Sequence, residues 1–273
     1  MTMYTSHHFE SLPTARPQPV PRPEDLVPAA WARPAPPRPE APRLWLARVE
    51  DLRDVVAPLA ASVLDGGERA REAALRRAVD RDGYRVTHVG LRLLLGAYLG
   101  IDPPDVPLAR APCPECRGPH GRPVVREAAL HFSVSRAPGY CLLAFAVTEV
   151  GADVEKVPSS AVVEETSAAL HPREAAELAA CPPADRPAAF ARAWTRKEGY
   201  LKGLGTGLGR DLRSDHLGTS PHVPTRIPGW SVSDVSVPAG YAAAVVVRAA
   251  PGAPSNAMGA AVMRERGCRP AGR

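Results

Sequence analysis

Lysine is nearly missing from this chain. Of 34 lysines and arginines, only Lys156, Lys197 and Lys202 are lysine. A lysine kept against such a background marks a place where a compact ammonium does not exchange for a planar guanidinium. Aromatic residues are also scarce, at 5%, which leaves few platforms for stacking nucleobases. The five cysteines are odd in number and lack framework spacing, which argues against a secreted disulfide scaffold. No stretch reaches the about 20 apolar residues of a membrane span. The opening "MTMYTSHHFESLPTARPQ" has no apolar core of the kind a signal peptide needs. A soluble cytoplasmic protein is therefore expected, with no membrane partner.

What the chain does have is length, charge and proline. Its 273 residues, 45% hydrophobic, suffice for a sizeable core. The net charge of +5 favours anionic partners without choosing among them. Residues 1–42 alternate proline and arginine and predict an extended, disordered arm; residues 250–273 predict a disordered tail. Between them, "RLWLARVE" reads as a strand, and "GERAREAALRRAV" and "GYRVTHVGLRLLLGAYLG" as two helices. After a proline-rich connection come strands at "LHFSVS", "YCLLAFAVT" and "GADVEKV", the first two joined as a hairpin. Helices follow at "SAVVEETSAALH", "PREAAELAAC" and "PADRPAAFARAWTRKEGYLKGLG", then a strand pair at "GWSVSDVSVP" and "GYAAAVVVRA". The order helices, strands, helices, strands predicts an α+β protein with halves at 43–150 and 151–249.

Two segments carry chemistry. In "GADVEKV", Asp153 and Glu155 leave the same face of a strand, about 7 Å apart at Cα, while Val154 points to the core. Crowded carboxylates repel, and oxygen-only ligands suit Mg2+ or Mn2+ better than zinc. The alternative is a plain polar face on an edge strand. In "AWTRKEGYLKGLGTGL", helical spacing puts Phe190, Trp194, Lys197, Leu201 and Leu204 on one stripe. Lys197 interrupts that stripe, so its stem is expected to be covered and its ammonium to emerge at an edge. Glu198 and Lys202, four apart, suit a solvated ion pair, which would leave Lys197 and the glycine run "GLGTGLGR" unexplained.

A strand "GADVE" followed about forty residues later by "WTRKEGYLKGLG" resembles the 4′-phosphopantetheinyl transferases of the surfactin-synthetase type. "HGRP" (120–123), "HFSVSRAPGY" (131–140) and "LDGGERAREAALRR" are similar to further elements of that family. The resemblance spans about residues 44–248. It implies two related α+β halves, with small antiparallel sheets and packed helices about a pseudo-twofold axis, and coenzyme A in the cleft. It implies Mg2+-dependent transfer of the phosphopantetheine arm to a serine of an acyl or peptidyl carrier protein, releasing adenosine 3′,5′-bisphosphate. The metal carboxylates map onto Asp153, Glu155 and Glu198. Glu198 and Lys202 take catalytic roles, Glu198 as candidate base and Lys202 neutralising phosphate. Coenzyme A contacts map onto Arg71, Arg122, Ser135, Arg136, Lys197 and Lys202. Ser133 stands where Asn is common in the family and Arg136 where His is common; an arginine binds phosphate but donates no proton near neutrality. Both halves lie in one chain, so a monomer is expected.

Other features point elsewhere. His88 and Arg92, four apart on a helix, are candidates for phosphate contact, with a solvated face as the alternative. "CPECRGPHG" sets Cys113, Cys116 and His120 together. A structural zinc site takes four ligands and no second pair lies at finger spacing, so a reduced loop with His120 near the coenzyme is expected and a zinc knuckle is the alternative. The arginines at 69, 71, 76, 77 and 81 would serve a basic nucleic-acid-binding protein, but no nucleic-acid module accompanies them. A catalytically inactive carrier-binding relative is a third possibility, opposed by Asp153, Glu155, Glu198 and Lys202 occurring together.

Overall fold

The computed structural model describes residues 20–38, 41–221 and 227–249. The architecture is α+β. A short strand β1 (Glu24–Asp25) precedes β2 (Arg43–Arg48). Helices α1 (Val49–Val56), α2 (Ala60–Val63), α3 (Gly66–Ala74) and α4 (Ala78–Leu99) follow. Strands β3 (Leu108–Arg110), β4 (Pro123–Val125), β5 (His131–Ala137) and β6 (Tyr140–Ala146) complete the first half. The second half contains β7 (Val150–Lys156), α5 (Ser160–Thr166), α6 (Pro172–Ala180), α7 (Arg186–Leu204), β8 (Trp230–Asp234) and β9 (Tyr241–Arg248).

The strands form three sheets, ordered β1-β2-β6-β5, β3-β4 and β7-β9-β8. All pairings are antiparallel except β1 with β2, which is parallel. That two-residue strand adds a parallel edge to sheets that are otherwise antiparallel, as expected. Strand alternation divides the core. Trp45, Cys141, Leu143 and Phe145 face α4 and its neighbours. Leu44, Leu46, Leu142 and Ala144 face the opposite way, against Ala152, Val154, Ala243 and Val245 of the second sheet. The two larger sheets therefore share one apolar layer.

The expectation of a disordered arm over 1–42 fails for residues 20–38. Leu26, just after β1, is buried in the same core as Trp45 and Leu143, and Ala30 and Trp31 pack against it. An isolated leucine in proline-rich sequence carries no periodicity, so only the tertiary contact reveals it. Residues 1–19 and the tail expected over 250–273 lie outside the described residues. The connection 101–123 also holds structure that its prolines concealed: β3 and β4 pair there as a hairpin.

The arginine-rich segment is largely spent on local structure. Arg69 donates to the carbonyl of Leu64, Arg81 to those of Leu75 and Arg76, and Arg77 pairs with Asp80. Asp65 and Glu68 form a reciprocal cap on α3, Asp65 Oδ1 accepting from the Glu68 N–H at 2.8 Å and Glu68 Oε2 from the Asp65 N–H at 3.0 Å. Arg92 of α4, buried, then clamps both carboxylates at 2.6 and 2.5 Å. It also donates to the carbonyls of Pro103 and Pro104. Arg92 therefore holds α3 and the following loop onto α4 rather than presenting a charge to a ligand. Among the described residues, no helix is long and apolar enough to cross a membrane.

Candidate active site

Helix α7 lies directly on β7 because three glycines allow it. A Cβ at Gly151 would stand 1.8 Å from the Gly199 carbonyl oxygen and 2.4 Å from the Gly203 nitrogen. A Cβ at Gly199 would likewise press on Val246, at 3.3 Å. Backbone touches backbone, so side chains leaving the rim of this contact converge. Asp153 and Glu155 leave the α7-facing side of β7, while Val154 points into the apolar layer as its position in the strand requires. Glu198 and Lys202 leave α7, four residues apart.

A cavity of about 500 Å³ opens there. Asp153, Glu155, Glu198 and Lys202 line one side with Trp194. Ser135 and Arg136 of β5, with Tyr84, Thr87 and His88 of α4, line the other. Both halves of the chain thus contribute walls. The His88 ring stacks on Tyr84 at a centroid distance of 4.0 Å, and its Nδ1 lies 3.3 Å from Glu68. Tyr84, Thr87 and Trp194 were not among the expected site residues. Trp194 sits one turn before Glu198, a signal that was available in the helical spacing.

Asp153 is the centre of the polar network. Its Oδ1 accepts from the Ser135 hydroxyl at 2.6 Å and from the Lys202 ammonium at 2.6 Å. Its Oδ2 is buried and has no hydrogen-bond partner. A buried acceptor without a donor is costly in a protein interior. That oxygen fits a position beside a cation. Burial raises the Asp153 carboxyl above its ordinary range, against the pull of Lys202 and Ser135. Burial pushes Glu155 up to about 7, Asp153 and Glu198 adding to the rise and Lys202 opposing it. Glu198 is raised by burial and by Asp153, with Lys202 again opposing. Asp153 raises both other carboxyls and Glu198 raises Glu155 across the cavity, and three carboxylates so placed form a charge-compatible site for a divalent ion. Their oxygens do not all lie within 4.8 Å of one another; like charges stand apart.

The alternative of an ion pair between Glu198 and Lys202 is not what forms: Lys202 pairs across to Asp153. Ser133, where the resembling family commonly has Asn, accepts the Ala152 N–H at 2.9 Å and ties β5 to β7. Arg136 lines the cavity and is exposed.

Three expected coenzyme contacts lie elsewhere. Lys197 is turned away from the cavity and buried. Its Nζ pairs with Glu174 at 2.8 Å and donates to the carbonyls of Leu212 and Asp215. The ammonium does not emerge at an edge as the stripe suggested, because the loop 211–219 folds back over it. Glu174 also accepts from the N–H groups of Leu217 and Gly218, and Arg196 donates to the carbonyl of Gly218. Arg122 is half-buried, with Nη1 2.7 Å from His131 Nδ1, and does not line the cavity. Arg71 is exposed on α3 and acts on the Tyr84 phenol from outside the lining. His120 is likewise not part of the cavity wall. The glycine run after α7 ends the helix: Gly205 caps it at φ +83° and packs on Arg122.

Residues 149–246 match the family model of the 4′-phosphopantetheinyl transferase superfamily. The chain is an enzyme of that transferase class. It is similar to the 4′-phosphopantetheinyl transferase HetI of Nostoc sp., with 29% identity over 213 residues, 75% of this chain and 86% of that protein. It is also similar to slr0495 of Synechocystis sp., whose name carries the same activity provisionally, with 26% identity over 176 residues, 63% of this chain and 68% of that protein. The matched segment of the transferase contains β7, α7 and hence all four residues of the acidic site. The first half, with Ser135 and Arg136, falls outside the family match but supplies the opposite wall.

Proposed function

We propose that this transferase moves the 4′-phosphopantetheine arm of coenzyme A onto a serine of an acyl or peptidyl carrier protein, with Mg2+ or Mn2+ held by Asp153, Glu155 and Glu198. The observation that carries this reading is the buried, partnerless Oδ2 of Asp153 facing a cavity that Glu155, Glu198 and Lys202 share. A divalent ion bound there would neutralise pyrophosphate charge and the charge left on adenosine 3′,5′-bisphosphate. The chain's own residues supply the rest. Ser135 and Lys202 fix the Asp153 carboxylate through Oδ1 and leave Oδ2 free. Lys202 and Arg136 present positive charge to phosphate oxygens. Glu198, its carboxyl raised by burial, accepts the proton of the carrier serine. The serine oxygen then bonds to the β-phosphorus, the bridging P–O bond breaks, and its electrons leave on the bisphosphate. Tyr84, His88 and Trp194 offer flat surfaces beside the phosphate region for the adenine.

Two halves within one chain fit the surfactin-synthetase type and a monomer working in the cytoplasm. Carrier domains are acidic in the families such enzymes serve, and a net charge of +5 favours encounter with them. The test is incubation of the full chain with coenzyme A, Mg2+ and several apo carrier proteins, followed by intact mass. A gain of one phosphopantetheine group, lost on chelation, is expected. Unchanged carriers throughout would refute the reading.

A further inference from the structure

A second cluster of ligating side chains lies outside the cavity, at the tip of the β3–β4 hairpin. Cys113, Cys116 and His120 bring two sulfurs and one imidazole nitrogen within 4.8 Å of one another. Among the described residues, no other three His, Cys, Asp or Glu side chains do so. Five backbone bonds shape the tip, one of them from the His120 N–H to the Gly118 carbonyl at 2.9 Å. Ala111 N–H donates to the Arg122 carbonyl and Gly121 N–H to that of Ala111, both at 3.0 Å. Cys113 N–H donates to Gly118, and Arg117 N–H to Cys113, both at 2.8 Å. Arg117 adopts φ +64°, a left-handed turn that non-glycine residues seldom take. The turn brings the Gly118 N–H to Cys116 Sγ at 3.4 Å. A Cβ at Gly118 would stand 2.9 Å from His120 Cδ2 and 3.3 Å from Cys116 Sγ, so glycine is what lets sulfur and imidazole close on each other.

We propose that Cys113, Cys116 and His120 bind one zinc ion, with the fourth position open to solvent or an exogenous ligand, and that this ion fastens the hairpin carrying Arg122. Two soft thiolates and an imidazole suit zinc over the hard cations fitted to the carboxylate site. The N–H groups of Cys116 and Glu115 donate to the Cys113 sulfur, hydrogen bonds of the kind that orient a thiolate toward a metal. Cys116 Sγ lies 2.9 Å from His120 Nε2, bridged by one proton. Zinc bond lengths set that separation at about 3.6 Å. A small rotation of two exposed side chains opens the pair, and both thiol protons pass to solvent as the ion enters. Directly beyond the tip, Arg122 packs against Gly205 at the end of α7 and reaches His131. The ion would thus hold the contact between the hairpin and the C-terminus of the helix that bears Glu198 and Lys202.

The test uses the full, tag-free chain, reduced, stripped with chelator and titrated with Zn2+ and separately with Co2+. One tight zinc equivalent and a thiolate-to-cobalt charge-transfer band are expected. Cobalt or zinc at the carboxylate site produces no such band, so the two sites are told apart. The double variant Cys116→Ser with His120→Ala, both at exposed positions, should keep its circular dichroism and lose the band. Cys113→Ser should do the same, and should it fail to fold, the double variant decides. No band in the wild-type chain, an undiminished band in the double variant, or a Cys113–Cys116 disulfide in freshly purified protein would each overturn the assignment.

Discussion

Gly151 and Gly199 touch through their backbones: a Cβ on the first would lie 1.8 Å from the carbonyl oxygen of the second. This contact sets the distance between the strand that carries Asp153 and Glu155 and the helix that carries Glu198 and Lys202. Gly151→Ala cannot be absorbed by a flexible side chain, because the atoms it meets are backbone. Helix α7 must move off β7. A misplacement of about 1 Å at a reacting centre costs on the order of 100-fold in rate. Carrier loading should fall by at least that factor and the melting temperature should drop. Loading within a few-fold of wild type would show that the contact does not position the site.

Asp153→Asn keeps the shape of the side chain and removes its charge. Loss of one preorganised charge in an active site costs roughly 100- to 1,000-fold, and loading measured by intact mass should fall accordingly. Glu198→Gln should act in the same direction. Unimpaired loading by either variant would remove that residue from the mechanism.

Lys197→Ala addresses a different property. Glu174 is buried at 0% exposure and Lys197 at 2%, and removal of the ammonium leaves a buried carboxylate without its cation. Breaking such a pair costs about 3–5 kcal/mol. Denaturant unfolding should show this loss, while coenzyme A affinity of the folded fraction stays near that of wild type. A large loss of affinity with unchanged stability would restore Lys197 to the coenzyme site.

Glu155 makes the metal-free protein sensitive to pH. Its folded pKa, about 7, lies above the ordinary carboxylate value, so the favourable contribution exists while the group is protonated and disappears as pH rises through about 7. In chelator, Glu155→Gln should therefore melt higher than wild type at pH 8, with the gain shrinking toward pH 5. A gain of equal size at both pH values would mean that charge at Glu155 is not its cause.

Leu26 tests the proline-rich segment. It is 3% exposed against Gly90 and Leu143, and Leu26→Ala should cost roughly 2–5 kcal/mol, as buried leucines do. Deletion of residues 20–38 should lower the melting temperature at least as much. A neutral Leu26→Ala variant would indicate that the segment does not pack in solution.

Much of the fold was legible along the chain because short-range periodicity encodes it. β2, β5, β6, β7 and β9 carry apolar residues that sort onto faces, and α7 ends where Gly205 permits a left-handed turn. Asp153 and Glu155 could be placed on one strand face by counting two. The same local rules misled where the deciding neighbour was distant. Lys197 looked like a stem-covered surface lysine, since nothing within α7 reveals that loop 211–219 will cover it. Lys202 looked like the partner of Glu198, since Asp153 is 49 residues away.

The sequence by itself determined which residues could ligate a hard cation and which helix would carry them, because side-chain chemistry and helical period are local properties. Only the tertiary structure decided which cation meets which anion and which sulfur meets which imidazole. Those pairings depend on backbone approaches across the chain, and three glycines between β7 and α7 permit the one on which the acidic site rests.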